Sequence, residues 1–141
     1  MKFAIVVSKF NEEITSGLLA GAVEFLRAKK IKISERDIFF APGAFELPLL
    51  AKRLAKTKKY SGVICLGCVI KGDTAHFEYI SLAAATGIVN ASLDTGIPIT
   101  FGVLTTYTEE QAIARSRKNP ENKGIEAAAA CYESALLLKR I

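Results

Sequence analysis

The sequence is poor in the side chains that most often hold metals and in the runs that cross membranes. It has one histidine, His76, and three cysteines in 141 residues. No apolar stretch approaches the roughly 18 residues a membrane span requires. The apolar part of the amino-terminal segment covers only Phe3 to Val7, and no small-residue cleavage site follows it. That is too short for a secretory signal, so the segment reads as a buried first strand and the protein is expected to be cytoplasmic. No internal repeat, linker or low-complexity tract is present, and residues 1–141 read as one domain.

Absences also remove several chemistries. The pair Cys65 and Cys68 has redox or zinc spacing, but it lies inside the apolar run "GVICLGCVI". Residues three apart on a strand face opposite sides, so the two thiols cannot grip one ion. There is no second CxxC, and all three cysteines read as small buried hydrophobes. The stretch "GCVIKGDT" (67–74) has P-loop glycine spacing, but Asp73 stands where the essential lysine belongs. A GxGxxG dinucleotide fingerprint is missing as well. The net charge is +5, much of it from Lys52, Arg53, Lys56, Lys58 and Lys59. Only Tyr60 interleaves an aromatic there, so the run reads as a solvated helix end rather than a nucleic-acid groove. The excess mildly favours anionic small substrates.

What is present is a regular alternation. Four nearly continuous apolar runs, at 3–8, 37–41, 62–70 and 99–105, have the pattern of strands buried on both faces of a parallel sheet. Helical spacing separates them. Leu18, Leu19, Ala22, Val23 and Leu26 follow the first run, and Leu47, Leu50, Ala51 and Leu54 follow the second. Pro48 falls in the first turn there, where proline is tolerated. Residues 77 to about 93 follow the third run. Thr108 and Gln111 form a capping-box pair after the fourth, opening "TEEQAIARSR". Pro120 marks a break before a last helix. The order βαβαβαβαα predicts a doubly wound α/β sandwich.

Such sheets bind ligands beyond the carboxyl ends of their strands. Lys9, Phe10 and Asn11 follow the first strand, "PGAFELP" (42–48) the second and "KGDTAH" (71–76) the third. The third loop is a glycine turn into a helix N-terminus, either an anion nest or a plain turn. An Asp73 carboxylate would oppose an anion there, so it is expected to turn away. His76 is then either a proton carrier beside the nest or a surface or capping histidine. Glu46 either caps a helix or accepts hydrogen bonds from a polar ligand ring. Phe10 and Phe45 are loop aromatics suited to a planar heterocycle. Phe101 sits near the start of its strand, away from that edge. Arg115 and Lys123 flank "SRKNPEN". These three are either solvated or framework residues, or parts of a neighbouring subunit's site.

Six motifs in order, "FNEEIT", "PGAFELP", "GCVIKGDTAHFEYI", "SLDTGIPITFGVLTT", "EQAIAR" and "NKGIEAA", resemble the lumazine synthase family over nearly the whole chain. The resemblance implies a three-layer α/β/α sandwich with a four-stranded parallel sheet and flavodoxin-like topology. It implies condensation of 5-amino-6-(D-ribitylamino)uracil with 3,4-dihydroxy-2-butanone 4-phosphate, two small-molecule substrates, with no cofactor and no metal. By resemblance Phe10 stacks on the pyrimidine, and Ala44, Phe45 and Glu46 hold the ribityl chain and adjoining groups. Cys68, Val69 and Ile70 give backbone contacts. Asp73 and Thr74 cradle phosphate, and His76 moves protons. Phe101 and Arg115 come from an adjacent subunit, over the ring and on the phosphate respectively. Lys123 and Glu126 match accessory positions.

The same resemblance implies a homo-oligomer, with active sites between neighbours of a pentamer and neither nucleic acid nor membrane as partner. Longer members carry an amino-terminal segment that extends a neighbour's sheet, whereas Met1 here falls almost on the first strand. "SRKNPEN" carries no insertion of the kind found in members that stop at pentamers or decamers. It also has "PEN" where shell-forming members commonly have "AGN". A hollow icosahedral shell of twelve pentamers is the expectation. The rival readings are an archaeal-type riboflavin synthase, whose members lack the "TAHFEY" histidine motif, and a non-catalytic flavin-binding module.

Overall fold

The computed structural model describes all residues, 1–141. Four strands form one parallel sheet: β1 (Phe3–Ser8), β2 (Ile38–Ala41), β3 (Gly62–Ile70) and β4 (Ile99–Thr106). Their spatial order is β2-β1-β3-β4. The helices are α1 (Glu12–Ala28), α2 (Leu47–Lys56), α3 (His76–Thr95), α4 (Glu109–Ala114) and α5 (Lys123–Leu138). This is the expected three-layer α/β/α sandwich.

Strand alternation sorts the core into two layers. Phe3, Ile5, Val7, Ile64, Leu66 and Cys68 pack toward α1 and α5. Ala4, Val6, Val63, Cys65, Val69 and Val103 pack toward α2 and α3. The side chains of β1 and most of β3 are therefore buried on both faces, as their continuous apolar runs require. Full burial of each large aliphatic contributes about 1.5–3 kcal/mol. Cys65 and Cys68 lie in opposite layers, so they form no pair. Burial pushes the Cys68 thiol up to about 11 and that of Cys131 up to about 12. Neither supplies a thiolate near neutral pH.

Element ends differ from the predicted ones for local reasons. Asp37 was expected in the second strand but closes a short 3-10 turn, Glu35–Asp37, because its carboxylate has partners there. It accepts from the Ser34 hydroxyl at 3.0 Å and the Tyr60 hydroxyl at 3.1 Å, and Lys2 Nζ lies 3.4 Å away. Burial raises its pKa, but these hydrogen bonds and the ammonium outweigh burial and hold it below the usual carboxylate range. α3 is longer than the 77–93 reading. It starts at His76 and ends where Gly96 turns left-handed, φ 69°. α4 is shorter than "TEEQAIARSR". Its Thr108–Gln111 capping box forms, but the chain tightens after Ala114, where the amides of Arg115 and Ser116 bond three residues back.

The connectivity places the site. β1 and β3 are neighbours, yet α1 leaves β1 toward one face and α3 leaves β3 toward the other. A crevice must open between the two departing chains, at the switch point of a doubly wound sheet.

Candidate active site

A concavity of ≈ 440 Å³ occupies that crevice, within the range of small-molecule sites. Each strand end contributes. After β1, Asn11 takes the left-handed conformation, φ 61°, that asparagine tolerates better than most residues. Its Nδ2 donates to the Cys68 carbonyl oxygen at 3.0 Å, tying the start of α1 to the end of β3. Phe10, just before it, stands on the rim with 70% of its surface exposed. An apolar ring left in water at a crevice mouth has no packing role and is free to stack on a planar ligand.

After β2, residues Ala44–Glu46 make one 3-10 turn leading into α2. Ala44 is buried beneath the crevice, Phe45 is exposed and Glu46 half-buried. A side chain at Gly43 would come within 3.3 Å of Glu46 Oε1, so the glycine keeps room for that carboxylate. Glu46 makes no side-chain cap to α2, which leaves it free to accept from a ligand. The floor is Cys68, Val69 and Ile70 of β3. His76 closes the far side as the first residue of α3, with Ile80 one turn below it.

Asp73 and Thr74 sit beside this concavity on an exposed turn and do not line it. Thr74 Oγ1 accepts the His76 backbone N–H at 3.4 Å, so one amide of the predicted nest already has an internal partner.

A second concavity, ≈ 280 Å³, runs along β4 and is lined by Phe101, Tyr107, Gln111, Arg115 and Lys123 among others. β4 is an edge strand, so this surface faces away from the rest of the sheet. Phe101 pairs in register with Cys65, five residues before Ile70 on β3. At about 3.3 Å per residue the floor, Cys68 to Ile70, therefore lies roughly 10 to 16 Å further along the strand. Arg115 is exposed at the end of α4. Lys123 Nζ forms an ion pair with Glu126 Oε1 at 3.0 Å. The structure thus gathers Phe101, Arg115 and Lys123 on one surface, as one of the two sequence readings has it, and keeps them apart from His76.

Sequence reading gave Asn11 a place after the first strand but no role, and passed over Asn122. Asn11 lines the first concavity, and its signal was an αL-tolerant residue directly between a strand and a helix. Asn122 lines neither concavity but holds the Arg115–Lys123 loop from within.

Fold and site together define a doubly wound α/β protein with a concavity at the β1–β3 switch point whose size and lining suit a small, planar, polar ligand. Its cations are displaced to a separate surface. The model of the family described as 6,7-dimethyl-8-ribityllumazine synthase matches residues 1–139. The chain is 59% identical over 140 residues to 6,7-dimethyl-8-ribityllumazine synthase 1 of Caulobacter vibrioides, covering 99% of this chain and 92% of that protein. It is 52% identical over 141 residues to 6,7-dimethyl-8-ribityllumazine synthase of Syntrophus aciditrophicus, covering 100% and 92%. The chain belongs to the 6,7-dimethyl-8-ribityllumazine synthase family.

Proposed function

We propose that the chain condenses 5-amino-6-(D-ribitylamino)uracil with 3,4-dihydroxy-2-butanone 4-phosphate to give 6,7-dimethyl-8-ribityllumazine, releasing phosphate and water, at a site shared by two copies. The observation that carries the shared site is the segregation just described. The crevice holds stacking, hydrogen-bonding and proton-transfer groups but no cation, whereas Arg115 and Lys123 line the other concavity.

In this reading Phe10 stacks on the pyrimidine, and Ala44, Phe45 and Glu46 receive the ribityl chain and adjoining groups. The backbone of Cys68, Val69 and Ile70 meets the same substrate. Phe101 of a neighbouring copy covers the heterocycle. Arg115 of that copy binds phosphate by charge-assisted hydrogen bonds, opposite the 73–74 turn. Lys123 and Glu126 are accessory. The 5-amino group attacks the ketone to give a carbinolamine, which loses water to an imine. Phosphate is eliminated, and the ribitylamino nitrogen closes the ring with loss of a second water. Amine and carbonyl react readily once held together, so positioning supplies much of the rate. His76 moves protons during elimination and closure.

Assembly has a second support. α3 exposes Leu82, Val89 and Leu93 at i, i+7 and i+11, and Leu93 is 76% exposed. A stripe of this kind on one helix marks a protein interface. Pentamers, closed into a shell of twelve, fit a site that needs two chains. Residues 1–141 act as one domain of a cytoplasmic enzyme, and no helix is long and apolar enough to cross a membrane.

Incubation of the purified protein with both substrates tests the activity. Lumazine fluorescence should rise with phosphate release in equal amounts. A flavin formed from added lumazine, or binding of either substrate without turnover, would overturn the reading.

A further inference from the structure

The side chain that holds the β4-edge concavity together lies beneath it. Asn122 is 2% exposed and lines neither concavity. Its Nδ2 points at three carbonyl oxygens: Arg117 at 2.9 Å, Ser116 at 3.1 Å and Gly17 at 3.2 Å. An amide has two N–H groups, so one of them is shared. Its Oδ1 accepts from the N–H of Gly124 at 2.8 Å and of Ile125 at 3.2 Å, capping α5. Next to it, the Lys123 N–H donates to the Arg115 carbonyl at 2.9 Å. One buried amide therefore joins the chain leaving α4, which carries Arg115, to the first turn of α5, which carries Lys123. It joins both to α1. The fit leaves no slack: a side chain at Gly124 would strike the Leu18 backbone, and one at Gly17 would strike the Ser116 carbonyl.

Helix capping alone does not call for this residue. Serine, threonine or aspartate would cap α5 as well. The three donations on the other side need the amide nitrogen. We propose that Asn122 is a positioning residue for phosphate recognition, setting the placement of Arg115 relative to Lys123 without touching substrate. This rests on the reading that Arg115 binds phosphate.

Asn122→Ser keeps a capping oxygen and removes the three donations. Asn122→Thr likewise keeps a capping oxygen without placing a buried charge against the carbonyls, and serves if the serine variant fails to assemble. Each is made alone and with Arg115→Ala. Steady-state KM is measured for both substrates, and inhibition by inorganic phosphate is measured alongside. The expected result is about a 10-fold rise in KM for the phosphate substrate and in the inhibition constant for phosphate, since small misplacements of positioning groups are costly. KM for the pyrimidine should stay within about twofold, and Arg115→Ala should abolish the effect of Asn122→Ser. Equal rises for both substrates would mark a merely structural role and overturn the proposal. So would a phosphate response unchanged in a variant that assembles, when Arg115→Ala alone raises it. If Arg115→Ala itself leaves that KM unchanged, the phosphate reading falls and the proposal falls with it.

Discussion

The two concavities are built by opposite means. The crevice between β1 and β3 follows from topology, because two adjacent parallel strands send their chains to opposite faces. Its lining arrives from three strand ends, and Asn11 needs only one hydrogen bond to Cys68 to set the rim. The β4-edge concavity has no such origin. It lies along an edge strand and is bounded by a loop, residues 115–122, that Asn122 ties to α1 and α5. One is lined by Phe10, Phe45 and His76, and the other by Phe101, Tyr107, Arg115 and Lys123. Both carry aromatic rings, but the crevice lacks a cation and the edge lacks the histidine, a division that the proposal of two half-sites on one chain rests on.

If the halves divide the substrates this way, substitutions should separate cleanly. Arg115→Ala should have the largest effect, lowering kcat/KM for the phosphate substrate by about 1,000-fold, in line with losing one partner of a hydrogen-bonded charge pair. Its KM for the pyrimidine should barely move, and equal weakening for both substrates would break the division. His76→Ala should lower kcat by about 10- to 1,000-fold without abolishing turnover, at or below the usual range for acid–base groups. An unchanged kcat in steady-state assays would remove the imidazole from the mechanism. Phe10→Ala should raise KM for the pyrimidine by about 2- to 10-fold, the equivalent of an aromatic pair of about 0.5–1.5 kcal/mol, with KM for the phosphate substrate unaffected.

The smallest effect on activity is expected at the other end of the sheet. Asp37 and its partners Ser34, Tyr60 and Lys2 are distant from both concavities in the fold, at the amino ends of the strands. Asp37→Ala should leave kcat/KM intact and cost about 1–3 kcal/mol in stability, from unpaired buried groups. Because the folded state lowers the Asp37 pKa, its contribution is full above the unfolded carboxylate value of about 3.9. It is lost as pH falls through the lower folded value. Urea midpoints should therefore fall less on acidification in Asp37→Asn than in the parent.

Legibility in the sequence tracks the range of the interactions involved. β1 and β3 were plain because burial on both faces leaves an unbroken apolar run, and the Thr108–Gln111 box was plain because both partners lie within four residues. The crevice residues followed from the strand ends. Asp37 was misplaced for another reason: its capping partner Ser34 lies only three residues before it, a local signal that the apolar run behind it masked, while Tyr60 is twenty-three residues away. Phe101, Arg115 and Lys123 were grouped in the sequence only as one of two open readings, and the buried residue beneath them was not read at all. Asn122 reaches Gly17 across 105 residues, a contact that no spacing rule encodes.

Co-assembly of two crippled chains tests the shared site most directly. One carries Phe10→Ala and His76→Ala, which disable the crevice, and the other carries Arg115→Ala, which disables the edge. If each site draws one half from each of two neighbours, random mixing in equal amounts makes about a quarter of the sites whole, by the statistics of a heterologous ring. Lumazine formation should recover to about that fraction of the parent's rate. If the site lay within one chain, the mixed assembly would do no better than the average of the two variants alone.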